Sequence, residues 1–110
     1  MKYCLALDLK DDDAMIAEYE NYHKKVWPEI LESIKKAGIT GMEIYRVSNR
    51  LFMIMETGEN FSFSEKEKMD SANAKVQEWE QLMWKYQQGL PGSEPGEKWV
   101  LMKKIFDLNE

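Results

Sequence analysis

The chain has 110 residues, 44% of them hydrophobic and 32% charged, a mix that supports one packed domain with a well-solvated surface and excludes a disordered chain. A net charge of −5 argues against nucleic acid as a partner, because phosphate backbones call for a basic patch. The single cysteine and single histidine exclude an internal disulfide and a thiolate metal cluster, and no stretch approaches the ~20 apolar residues of a membrane span.

A soluble cytoplasmic protein with no bound metal is therefore the expectation. Residues Lys2 to Leu9 alternate cleanly, with Tyr3, Leu5, Leu7 and Leu9 on one face and Lys2, Cys4, Ala6 and Asp8 on the other, which is the period of a strand. Asp11, Asp12 and Asp13 then suit a helix N-terminus, as caps and by their charge at the positive end of the dipole. Apolar residues follow at helical spacing at Met15, Ile16, Tyr19, Tyr22, Val26, Ile30, Leu31 and Ile34. Pro28 interrupts that run. It disfavours helical backbone at Trp27 and suits the first turn of a new helix, so the element should be bent or in two parts, closed by Gly38.

The only histidine, His23, lies beside this bend. Tyr19 is four residues before it and Trp27 four residues after, a spacing that gathers three rings on one helix face. Such a cluster suits a sugar-sized ligand: rings stack on C–H faces, and an imidazole moves protons near neutral pH. The plainer reading is a half-buried structural histidine.

Ile39–Val47 and Arg50–Thr57 read as a hairpin about Ser48-Asn49, with Tyr45 opposite Phe52 and Ile44 opposite Met53. Met42, Ile44, Leu51, Met53 and Met55 share an apolar face that should lie under the helices. Glu43, Tyr45, Phe52, Ile54 and Glu56 share a mixed face too apolar for open water, which predicts cover from a second sheet, most simply that of another copy of the chain. After a loop at Gly58–Asn60, Phe61 and Phe63 should anchor the chain. A helix is expected from Ser64 and strongly from Ala74, with a core stripe at Met69, Ala72, Val76, Trp79, Met83 and Tyr86. Trp84 leaves that stripe to join Gln77, Glu80 and Gln87. It is either a packing residue under a loop or a ligand-stacking one. Leu90–Lys98 is a Pro- and Gly-rich loop, and Trp99–Leu108 should be the last strand. Strand, helix, strand, strand, helix, strand is the split βαβ order of a ferredoxin-like α+β fold with a four-stranded antiparallel sheet, and two such sheets face to face would make a dimeric α/β barrel.

Several stretches resemble one family. His23-x-x-Val-Trp27-Pro-Glu-Ile30 resembles the H-x-x-[IV]-W-P-E signature of L-rhamnose mutarotases, Ile44-Tyr45 with Asn49-Arg-Leu-Phe52 resembles that family's hairpin, and Trp84-Lys-Tyr86 resembles part of its later helix motif. The resemblance runs over nearly the whole chain. It implies a homodimer that interconverts the anomers of a 6-deoxy-L-hexose without a cofactor, with His23 as proton donor and Tyr19, Trp27, Met42, Met83 and Trp84 around the sugar. The family's adjacent tryptophan pair falls on Met83-Trp84, and a family tyrosine falls on Met42. L-Rhamnose is the first candidate substrate and L-fucose the alternative. Mutarotation needs only that one group protonate the ring oxygen while another takes the proton of the anomeric hydroxyl. A histidine with an ordinary pKa of ~6.5 serves as acid or base for this. A monooxygenase or haem-degrading enzyme on the same dimeric fold, and a non-enzymatic binding module, are the competing readings.

Overall fold

Period-two alternation makes Lys2–Leu9 a strand, β1, at the centre of the sheet in the computed structural model, which describes all 110 residues. Around it the chain adds α1 (Asp13–His23), α2 (Pro28–Lys36), β2 (Ile39–Val47), β3 (Arg50–Thr57), α3 (Phe63–Ser71), α4 (Ala74–Trp84), β4 (Gln87–Gln88) and β5 (Val100–Leu101). The antiparallel sheet has the order β2-β3-β1-β4, with β5 also on β1, and it is open rather than closed into a barrel within one chain. This is the ferredoxin-like α+β arrangement expected from the order of the elements.

The registers explain which residues face the helices. β1 pairs with β3 from Lys2↔Glu56 to Asp8↔Arg50, and β3 pairs with β2 with Tyr45↔Phe52 and Ile44↔Met53, the pairing that a two-residue turn dictates. Ser48 takes the turn's left-handed backbone at φ 53. Leu5, Leu7, Leu9, Leu51, Met53 and Met55 are all buried, with Leu7 and Leu9 at 0% exposure. Tyr19, Ile30, Val76, Trp79, Met83 and Tyr86 pack with Leu9 and Leu51 in the larger of two core clusters. At the end of β1 the Arg50 guanidinium makes two hydrogen bonds to the buried Asp8 carboxylate, at 2.8 and 3.2 Å, which fixes the hairpin against the central strand.

The bend between the first two helices forms as expected. Asp12 caps α1 by accepting from the Met15 N–H at 3.0 Å. Trp27, with extended backbone, is the N-cap residue of α2, and Pro28 opens that helix. Phe61 and Phe63 both pack edge-on or tilted against Tyr3.

Three expectations are corrected. The later helix is two helices, because the Asn73 side chain accepts from the N–H groups of Lys75 and Val76 and starts α4 afresh. Met69 and Ala72, on the far side of that cap, are consequently exposed, and the core stripe begins at Val76; Leu31 is likewise exposed. The last strand is much shorter than Trp99–Leu108. Val100 and Leu101 pair with Ala6 and Leu5, the Met102 N–H reaches the Cys4 carbonyl, and the chain then leaves the sheet. Its place beside the other end of β1 is taken by Gln87 and Gln88, opposite Leu9 and Asp8. The fourth strand position is thus filled by two dipeptides, with residues 89–99 looping out between them.

Candidate active site

His23 is the last residue of α1, and its ring turns back along the helix. Nδ1 lies 2.8 Å from the Tyr19 carbonyl oxygen. A carbonyl only accepts, so Nδ1 carries a hydrogen and Nε2 is the nitrogen left to gain or lose a proton. The two rings stack at 4.5 Å and 36°. The helix ends here, so Trp27 is no longer one turn further along the same face. It returns to the cluster through Trp79 of α4, which meets the Trp27 ring at 5.0 Å and the His23 ring at 5.7 Å, both edge-on. Tyr22 and Tyr86 close the back, their rings 6.0 Å apart.

Trp79 was legible in the sequence only as core. In the structure it is both the core residue of α4 and the wall behind the imidazole. Gln87 was expected on the polar face of the later helix with Trp84, and that expectation is corrected because the helix ends at Trp84. It is buried in β4, and its Nε2 donates to the Tyr19 hydroxyl at 3.1 Å. A two-residue strand of polar side chains leaves no periodic signal that could have found it.

The remaining anticipated site residues fall in different places. Tyr19 is buried at the heart of the cluster. Met83 is buried in the same core cluster, behind the rings. Trp84 is half-buried at the end of α4, with the Lys98 ammonium 5.5 Å from its ring centre. Met42 is half-buried against the smaller core cluster of Leu5, Ile39, Met53 and Met55, and so is not gathered with His23. Trp27 is half-buried, flanked by the Lys75 ammonium at 5.4 Å. Two clefts of about 380 and 240 Å³ lie between α3 and α4 and beside Arg46, and His23 lines neither.

Burial pushes the Tyr19 phenol up to about 12, partly offset by the Gln87 hydrogen bond. Its proton is therefore held throughout the neutral range. An unfolded chain ionises this tyrosine from its ordinary value of 10.0, whereas the folded chain resists until about 12. The stabilisation is complete below pH 10 and is lost as pH rises from there towards 12, by roughly 2–3 kcal/mol. A Tyr19→Phe protein should lack that part of the alkaline slope. Urea unfolding of both proteins at about pH 9 and about pH 11.5 measures the difference.

The fold and the cluster define a ferredoxin-like α+β subunit with a tautomer-fixed histidine set among aromatic walls, the equipment of an acid–base enzyme for a small polar ligand. The sequence matches the L-rhamnose mutarotase family over residues 2–108, and the chain belongs to that family. It is 46% identical over 111 residues to an L-fucose mutarotase of Xanthomonas campestris pv. campestris, covering 99% of this chain and 89% of that one. In structure it is similar to an L-rhamnose mutarotase of Formosa agariphila, with a TM-score of 0.71 at 18% identity and 98% of each chain covered. It is also similar to a dimeric ferredoxin-like protein from an uncultured marine organism, with a TM-score of 0.54 at 12% identity, covering 96% of this chain and 90% of that one. At those identities the two structures speak for the fold. The family and the sequence relative make this chain a sugar mutarotase, an isomerase acting on carbohydrates.

Proposed function

We propose that the chain equilibrates the anomers of 6-deoxy-L-hexoses, with L-fucose its preferred substrate, and that it works as a homodimer. The observation that carries the catalytic assignment is the His23 geometry: Nδ1 tied to the Tyr19 carbonyl, Nε2 free, aromatic rings on the flanks. As an imidazolium, His23 gives its Nε2 proton to the ring oxygen while the anomeric hydroxyl gives up its own to a second acceptor. The C1–ring oxygen bond breaks, C1 becomes an aldehyde, and rotation about C1–C2 presents its other face. Closure returns both protons, so atoms and electrons balance with no redox step. Tyr19 binds a sugar hydroxyl, Trp27 and Trp84 offer apolar faces, and Met83 backs the cluster from the core. Positioned acid–base catalysis of this kind is worth on the order of 10²–10⁴-fold.

The choice of L-fucose rests on the 46% relative over nearly the full chain. L-Fucose and L-rhamnose differ in configuration at C2 and C4, so a site shaped for one leaves hydroxyls of the other badly placed. Polarimetry of freshly dissolved α-L-fucose and α-L-rhamnose, with and without protein, compares the two as substrates. A higher kcat/KM for L-fucose is expected. A clear preference for L-rhamnose would overturn the substrate assignment and leave the reaction class standing. Trp84→Ala should raise KM several-fold while shifting stability by less than about 1.5 kcal/mol, because its indole is only half-buried. A collapse in melting temperature would make Trp84 a packing residue.

Two surfaces support the homodimer. The sheet face opposite the helices keeps Tyr45 at 52% exposure beside half-buried Phe52 and Ile54. The chain end beyond β5 leaves Ile105, Phe106 and Leu108 uncovered at 91%, 75% and 82%. The apolar side chains of that end find no cover within their own chain, and a second copy supplies it. Replacing Ile105 and Phe106 together by glutamate should leave the subunit folded and shift sedimentation from dimer to monomer. A dimer unaffected by the change would remove this segment from the interface.

A further inference from the structure

β4 is two residues long, yet it carries a side-chain amide into the core. Gln87 is 6% exposed, and its backbone is held opposite Leu9 of the central strand. Burying a primary amide is costly unless its polar atoms are bonded. Its Nε2 donates to the Tyr19 hydroxyl, a residue 68 positions earlier in the chain. A phenol has one proton. With that donor on its oxygen, the Tyr19 proton is not given to Gln87, and the hydroxyl makes no second hydrogen bond within the chain. At its other end Tyr19 supplies the carbonyl that fixes His23. One residue is therefore held by Gln87 at its tip and holds the histidine at its root.

We infer that Gln87 is a positioning residue for the mutarotase reaction: by donating to the Tyr19 oxygen it leaves the phenolic O–H free to be donated to a sugar oxygen beside His23. This deepens the reading above and rests on its placing of His23 and Tyr19 in the site. Gln87 touches no substrate itself and acts only through Tyr19.

Two substitutions test it. In Gln87→Glu the ionised carboxylate only accepts, so it draws the Tyr19 proton to itself, whereas the protonated acid donates as the amide does. The ratio of its kcat to that of the wild type should fall by about tenfold between about pH 4 and pH 9, roughly what one ordinary hydrogen bond is worth in a transition state. The other ionisable groups beside the pair are His23 of α1 and Tyr86 after α4, with Glu18 and Tyr22 of α1 against Tyr86; taking the ratio cancels their own titration. Gln87→Met keeps the length and removes the donor. It should lose about tenfold in kcat with KM little changed, and should cost nothing further in a Tyr19→Phe background. A ratio that stays flat with pH, or a Gln87→Met loss that persists without the Tyr19 hydroxyl, would overturn the inference and make Gln87 a structural residue. If Gln87→Met alone does not fold, the Tyr19→Phe/Gln87→Met protein, which removes both members of the buried polar pair, and the Gln87→Glu ratio still decide. A wild-type protein that exchanges no anomers under the same conditions would overturn the site assignment and this inference together.

Discussion

A His23→Ala protein loses anomer exchange down to the spontaneous rate, a fall on the order of 10²–10⁴-fold, and keeps its fold to within about 1–2 kcal/mol. The two halves of that expectation have separate causes. The imidazole is half-buried at the end of a helix, and its one hydrogen bond is to a carbonyl of its own helix, so no distant element loses a partner when it goes. Catalysis, by contrast, has no substitute for a group that exchanges protons near neutral pH, because His23 is the only histidine in the chain. Activity assays with chemical denaturation on the same sample separate the effects. A protein that unfolds as it loses activity would instead make His23 a structural residue.

Trp79→Ala has the opposite signature. Trp79 is 9% exposed and packs with Tyr22 and His23 of α1 and with Trp27 across the helix break, at ring separations of 5.0 to 6.3 Å. Removing a buried indole from such a site costs about 3–5 kcal/mol, the transfer loss plus the cavity that the neighbours only partly fill. The sugar site should suffer as a consequence, since the wall behind the imidazole is gone, and Trp79→Phe should recover most of both stability and activity. Urea unfolding measures the cost. A loss below about 1 kcal/mol would show that the aromatic cluster is not the keystone between the first helix pair and α4.

Much of this was legible in the sequence because the signals were periodic. The alternation of β1, the two-residue turn at Ser48-Asn49 and the Pro28 break each impose a backbone geometry that little else can satisfy. Trp79 appeared as a core residue at helical spacing, and it is one; that it also faces His23 depends on how α4 crosses the first two helices, which no local pattern encodes. Gln87 lay further out of reach. Its place in the sheet is set by β1, 78 residues away at Leu9↔Gln87, and its partner by the depth at which Tyr19 sits. The overlong last strand failed for the same kind of reason. A strand exists only where the chain stays beside a neighbour's backbone, and after the Met102 N–H reaches the Cys4 carbonyl residues 103–108 leave the edge of β1, although Tyr3 and Lys2 continue that strand.

The measurement that bears most directly on the whole account is proton NMR saturation transfer at anomeric equilibrium. One anomeric proton of L-fucose is saturated and the other observed, with buffer alone, with the wild-type protein and with His23→Ala. Transfer that appears only with the wild type is the result expected of a mutarotase that works through His23. Equal transfer with the wild type and His23→Ala would contradict the central claim, because the reaction would then proceed without the one residue whose geometry was read as catalytic.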